Sequence, residues 1–118
     1  INALDYYQKA LGIRREAGDR PGEGSILNNI GLVHDIQGKH PEALDYYQRA
    51  LKIFQELGDR PGEAVTLCNI AHIREMERKI GEAVKLMERV IEIDKETHHP
   101  ALAAHTAFLE DLRRKLKG

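Results

Sequence analysis

The chain has 118 residues, the size of one domain, with 42% hydrophobic and 31% charged side chains and a net charge of -1. That balance gives no bulk electrostatic attraction to nucleic acid or to an anionic membrane. A single cysteine, Cys68, excludes an intrachain disulfide and fits a reducing compartment, so a cytoplasmic location is expected. No apolar run is long enough to span a bilayer and no leader peptide is recognisable.

The chain opens on Ile1 inside a helical pattern, and a fragment of a longer protein is expected. Residues 2–16 form the first expected helix. The stretch GDRPGE at 18–23 then stops one helix and starts the next. Gly18 can take a positive φ and close the first helix. Asp19 can cap the second, and Pro21 sits in its first turn, where a missing N–H costs little. Glu23 complements the positive end of the helix dipole. The second helix, 20–37, carries a stripe of Ile26, Leu27, Ile30, Val33 and Ile36 at helical spacing. After a short link with Gly38 and Pro41, the third helix, 41–57, carries Ala43, Leu44, Tyr47, Ala50, Leu51 and Phe54.

The pattern then repeats. Laid over 41–80 without gaps, residues 1–40 are identical at half the positions. GDRPGE recurs at 58–63, ALDYYQ at 3–8 recurs at 43–48, and Asn29-Ile30 recurs as Asn69-Ile70. A third copy begins at Gly81, where GEAVKLMERVIEI overlays PEALDYYQRALKI at 41–53. Helices are expected at 60–77, 81–96 and 100–117, and no strand alternation occurs. Short links force neighbouring helices antiparallel. A lone hairpin cannot bury its stripes, so hairpins stack into a curved solenoid. Small residues allow close approach: Gly31, Ala43 and Ala50 in one unit, Ala71 and Ala83 in the next. Each large side chain so buried contributes about 1.5–3 kcal/mol. Leu102, Leu109, Leu112 and Leu116 form one narrow stripe on the last helix, with charge on the rest, which suits a C-terminal cap. Within the YYQ motifs, one tyrosine is expected in the core and one half-exposed.

Residues 27–51, LNNIGLVHDIQGKHPEALDYYQRAL, resemble a tetratricopeptide repeat. The family's small residue of the first helix is Gly31, and its small–aromatic–small series of the second is Ala43, Tyr47 and Ala50. The forty-residue period resembles the subclass of kinesin light chains and spindle-orientation adaptors. Departures are Leu27 and Leu67 for the usual Trp, His34 and Arg74 for the usual Tyr, and Ala71, Met87 and Val90 in the second full repeat. The resemblance implies an all-α fold, a right-handed α–α superhelix of antiparallel hairpins with a capping helix. Residues 1–17 would be the second helix of a truncated repeat, 18–57 and 58–97 full repeats, and 98–118 the cap. It also implies a non-catalytic scaffold that holds a peptide or helix of a protein partner in a concave groove. That groove would be lined by Ser25, Asn28, Asn29, Leu32, Asp35 and Ile36, then Val65, Cys68, Asn69, His72, Glu75 and Met76. Asn29 and Asn69 each offer a donor and an acceptor to a peptide backbone. The alternative is a homodimer through the N-terminal helix, whose flank is expected to be bare.

Other signals are weak. The histidines of THHP at 97–100 with His105 lack the spacing of a metal site and read as a loop replacing the Gly-Asp-Arg punctuation. Nothing near Cys68 activates a thiol. RRKLK at 113–117 complements the C-terminal end of a helix dipole. No phosphate loop, nucleophile elbow or carboxylate pair appears, so no enzyme, cofactor, metal or nucleic-acid partner is expected.

Overall fold

The computed structural model describes residues 2–118. It contains, among these, six helices and no strand: α1 (Ala3–Glu16), α2 (Arg20–Ile36), α3 (His40–Leu57), α4 (Arg60–Met76), α5 (Ile80–Thr97) and α6 (Leu102–Lys117). The expected helices are all present, with ends shifted by a residue or two. The chain divides into two compact units, Ile1–Gly62 and Glu63–Gly118.

The punctuation acts locally as its chemistry dictates. Gly18, Gly38 and Gly58 have φ of 69°, 76° and 68°, the left-handed region where a glycine is unstrained. Asp19 accepts from the Gly22 N–H, and Asp59 from the Gly62 N–H. Two turns use other residues: Arg78 at φ 65° stands at the place of Gly38, and His98 at φ 53° at the place of Gly58. The THHP loop thus closes α5, as expected, and His99 accepts from the Ala101 N–H through Nδ1.

In the first unit α2 packs between α1 and α3. Arg20 at the start of α2 pairs with Glu56 at the end of α3, whereas Asp35 at the end of α2 accepts from the Tyr47 hydroxyl near the start of α3. The hairpin is therefore antiparallel. Its core joins Leu11 of α1, Leu27 and Ile30 of α2, and Ala50, Ile53 and Phe54 of α3. Ala43 and Tyr47 are fully buried beside them, whereas Tyr46 is half-buried. The tyrosines of α1 differ: Tyr7 is only half-buried and Tyr6 is exposed. A Cβ added to Gly31 would lie 2.7 Å from the Tyr47 ring and 3.3 Å from the Ala43 carbonyl, so the missing side chain sets how closely α2 and α3 approach. Ile36 leaves its expected place in the apolar stripe. It lies in the last turn of α2 and is 85% exposed.

In the second unit, Leu67, Ile70, Ala71 and Ile73 of α4 are buried, as are Ala83, Met87, Val90 and Ile93 of α5. The α4–α5 hairpin is antiparallel too, with Arg74 reaching Glu82 and Glu63 reaching Arg89. Helix α6 packs on α5. Its leucine stripe holds at Leu109 and Leu112, both buried, but not at Leu116, which is 56% exposed.

Glu23 and Glu63 do more than face a helix dipole. Both are buried carboxylates. Glu23 accepts from Arg15 of α1 and Arg20, and Glu63 from Arg89 of α5, so each ties the start of one helix to a neighbour.

Candidate functional site

The twelve residues expected to line a groove lie six on α2 and six on α4, and the two sets fall into different units. On each helix they separate into two stripes.

On α2, Ser25, Asn29, Leu32 and Ile36 advance in steps of four, three and four residues, which keeps them on one side of the helix. Ser25 and Ile36 are exposed, and Asn29 and Leu32 are half-buried. Ser25 and Asn29 also line a cleft of about 350 Å³ against Tyr6, Tyr7 and Ala10 of α1. Asn28 and Asp35 lie on the flank of this stripe, about a quarter turn around the helix. Asn28 is only 8% exposed. Asp35 is engaged by Tyr47 at 3.3 Å, and His40 lies 3.8 Å away. Burial first, then the Asp35 charge, pushes the Tyr47 phenol above its usual range, so the hydroxyl stays protonated and donates.

On α4, Val65, Asn69, His72 and Met76 follow the same steps. Val65, His72 and Met76 are exposed, and Asn69 is half-buried. His72 stacks on Phe108 of α6, with ring centres 4.4 Å apart. Cys68 and Glu75 again lie on the flank, about a quarter turn around the helix. Glu75 accepts from Lys115 of α6 at 2.6 Å. Burial, and then the negative charge of Asp94, pushes the Cys68 thiol up to about 11, so it is a packed thiol rather than a nucleophile.

Chemically, the accessible stripes carry amide, hydroxyl, imidazole and aliphatic groups. The two carboxylates, Asp35 and Glu75, already serve contacts inside their own units. Such a surface can exchange hydrogen bonds and bury apolar side chains without a strong charge preference. Among the described residues, no cluster of three metal-ligating side chains occurs and no helix is long and apolar enough to cross a membrane.

A polar contact with little signal in the sequence joins Asp94 of α5 to His105 of α6. Asp94 is 1% exposed, and its Oδ2 lies 2.6 Å from His105 Nδ1. The only sequence signal was an acid standing where the other repeats have Phe54 and Arg14.

A family model for the tetratricopeptide repeat matches the chain twice, over residues 1–56 and 36–96. A search of curated proteins gives no match. Among solved structures, the crystal structure of BtubC (BKLC) from P. vanneervenii is similar. Its TM-score is 0.82 at 23% identity, over 93% of this chain and 47% of that one. The chain thus spans about half the length of that protein. The likeness shows the fold, an all-α array of helix hairpins of the tetratricopeptide type.

Proposed function

The chain belongs to the tetratricopeptide repeat family, whose repeats generally mediate protein–protein interaction, and on that premise we propose that it is a non-catalytic module that holds a peptide or helix of a partner protein. Each unit contributes its own face, Ser25, Asn29, Leu32 and Ile36 on α2, and Val65, Asn69, His72 and Met76 on α4. What supports the reading is recurrence. The same four positions are exposed or half-buried in both units, whereas none of the residues between them is exposed. Neither stripe carries a carboxylate or an ammonium, so the segment they suit is of mixed polar and apolar character. Asn29 and Asn69 are the proposed backbone readers, since one amide can meet both the C=O and the N–H of an extended strand.

The test begins with capture of a partner on the intact chain and mapping of the bound segment. Asn29→Ala and Asn69→Ala are each expected to weaken that segment's binding about fivefold to tenfold, the loss of a hydrogen bond worth about 1 kcal/mol. The helical melt of each variant separates this effect from a loss of fold. Equal affinity for parent and variants rejects the role of the asparagines.

One observation favours a second reading, self-association through α1. The stripe Ala43, Tyr47 and Ala50, which on α3 is fully buried and receives Gly31, has its equivalents on α1 in Ala3, Tyr7 and Ala10. There Ala3 is exposed, and Tyr7 and Ala10 are half-buried. A seat for a helix is thus open on α1, flanked by exposed Tyr6 and Ile13. Sedimentation over a range of concentrations should then show a dimer that Ala10→Arg dissociates. A monomer throughout excludes it.

A further inference from the structure

The turn between α4 and α5, together with the last turn of α6, carries features that the proposed peptide faces do not use. Lys115 Nζ lies 2.6 Å from Glu75 Oε2, which sets the end of α6 alongside the end of α4. There a cleft of about 480 Å³ opens, lined by Arg78, Lys79, Ile80, Lys115 and Leu116, with Glu82 its only acid. Leu116, in the cleft, is 56% exposed although two other leucines of its helix, Leu109 and Leu112, are buried. A large apolar side chain thus stands exposed in a cationic cleft.

The charges around it do not balance. Glu77 is held by Arg74, which also reaches Glu82. Glu75 and Asp111 are both held by Lys115, and Asp111 also by Arg114. Hydrogen bonds that Lys115 donates to Glu75 and then to Asp111 hold its ammonium above its ordinary range, so it stays charged. Four acids, Glu75, Glu77, Glu82 and Asp111, thus share three cations, Arg74, Arg114 and Lys115. Arg78, Lys79 and Lys117 form no ion pair among the described residues, so cations outnumber acids here by two. Arg78 holds its place in the left-handed conformation where the preceding repeat has Gly38.

We propose that this edge of the second unit docks an acidic protein segment that carries a large apolar side chain. The carboxylates would meet Arg78, Lys79 and Lys117, and the apolar group would cover Leu116 and Ile80 in the cleft. Complementary charge steers such an encounter and fixes its register, while the apolar contact supplies the burial that holds it. Nucleic acid would meet the cations but leave the apolar lining unused. A bilayer surface would not enter a cleft of this size. The site is separate from the stripes proposed above and does not rest on them.

The probe is a synthetic peptide of sequence Glu-Glu-Phe-Glu-Glu-Leu-Asp, titrated into the isotope-labelled 118-residue chain and followed by amide shifts and by fluorescence anisotropy. Saturable binding is expected, with shifts confined to residues 78–82 and 114–118, and weaker at higher salt. The double variant Arg78→Glu, Lys79→Glu should weaken it by at least about tenfold, and Leu116→Ser by about fivefold. Versions of the peptide with Ala for Phe and Leu, or with Gln for the acids, should bind at least about fivefold less tightly. Both protein variants change exposed residues, and an unaltered helical melt confirms that each is folded. Asn29→Ala and Asn69→Ala should bind the probe as the parent does, which separates this site from the peptide faces. Absence of saturable binding overturns the proposal. So do shifts centred elsewhere, control peptides that bind equally well, or tighter binding to single-stranded oligonucleotide or to phosphatidylserine vesicles.

Discussion

Replacing Tyr47 with alanine is expected to destabilise the protein by about 3–5 kcal/mol, the cost of emptying a large aromatic site in a core. The ring is fully buried between Ala43 and Ala50 of its own helix and the Gly31 backbone of α2. Its hydroxyl also closes the hairpin on Asp35. Removing it therefore loses packing and leaves Asp35 without that donor. The same contact makes a second, finer prediction within the experiment. Gly31→Ala should destabilise, although alanine favours a helix over glycine by about 1 kcal/mol, because overpacking costs about 1–3 kcal/mol. The new methyl group would press on a ring that cannot retreat. In the second unit the equivalent pair is Ala71 and Met87, both fully buried. A flexible methionine accommodates the methyl that a tyrosine rejects. Gly31→Ala combined with Tyr47→Met should accordingly be more stable than Gly31→Ala alone. Denaturant unfolding of the four proteins checks this. A Gly31→Ala variant as stable as the parent would show that the approach of α2 and α3 is not set by the ring.

The second large effect is expected at α6. His105→Ala should cost on the order of 3 kcal/mol, because it strips the one donor from a carboxylate that is out of water. Asp94 is 1% exposed, its Oδ2 is held by His105 Nδ1, and its Oδ1 has no partner. For a domain of this size that loss lowers the melting temperature by roughly 10 °C. The double replacement Asp94→Leu, His105→Leu removes the stranded charge with its partner and should regain most of the loss, since a buried pair is often replaceable by apolar groups. If the double variant unfolds as easily as His105→Ala, the cost lies in packing and not in the stranded carboxylate. If His105→Ala melts with the parent, the contact does not anchor α6.

Much of the fold was legible because its determinants lie close together in the chain. A glycine at positive φ, an aspartate capping three residues on, and apolar residues at steps of three and four are all local, and Gly18, Asp19 and the stripes of α2 and α3 behave as read. The candidate faces were only half legible. Periodicity placed Asp35 and Glu75 on α2 and α4, but could not foresee that Tyr47 and Lys115 would bind their carboxylates. Nor could it foresee Phe108 under His72, which lies thirty-six residues further on.

The amino-acid sequence by itself determined that this is a run of helix hairpins with a forty-residue beat and set where each helix begins and ends, because caps and turns depend on backbone geometry within a few residues. Only the tertiary structure decided which polar side chains are consumed holding helices together and which stay available. It withdrew Glu23, Glu63 and Asp94 from water, and it left Leu116 exposed and Arg78 unpaired. The reason is that burial and charge pairing depend on which distant helix arrives at a given face, and a one-dimensional period records the face but not its neighbour.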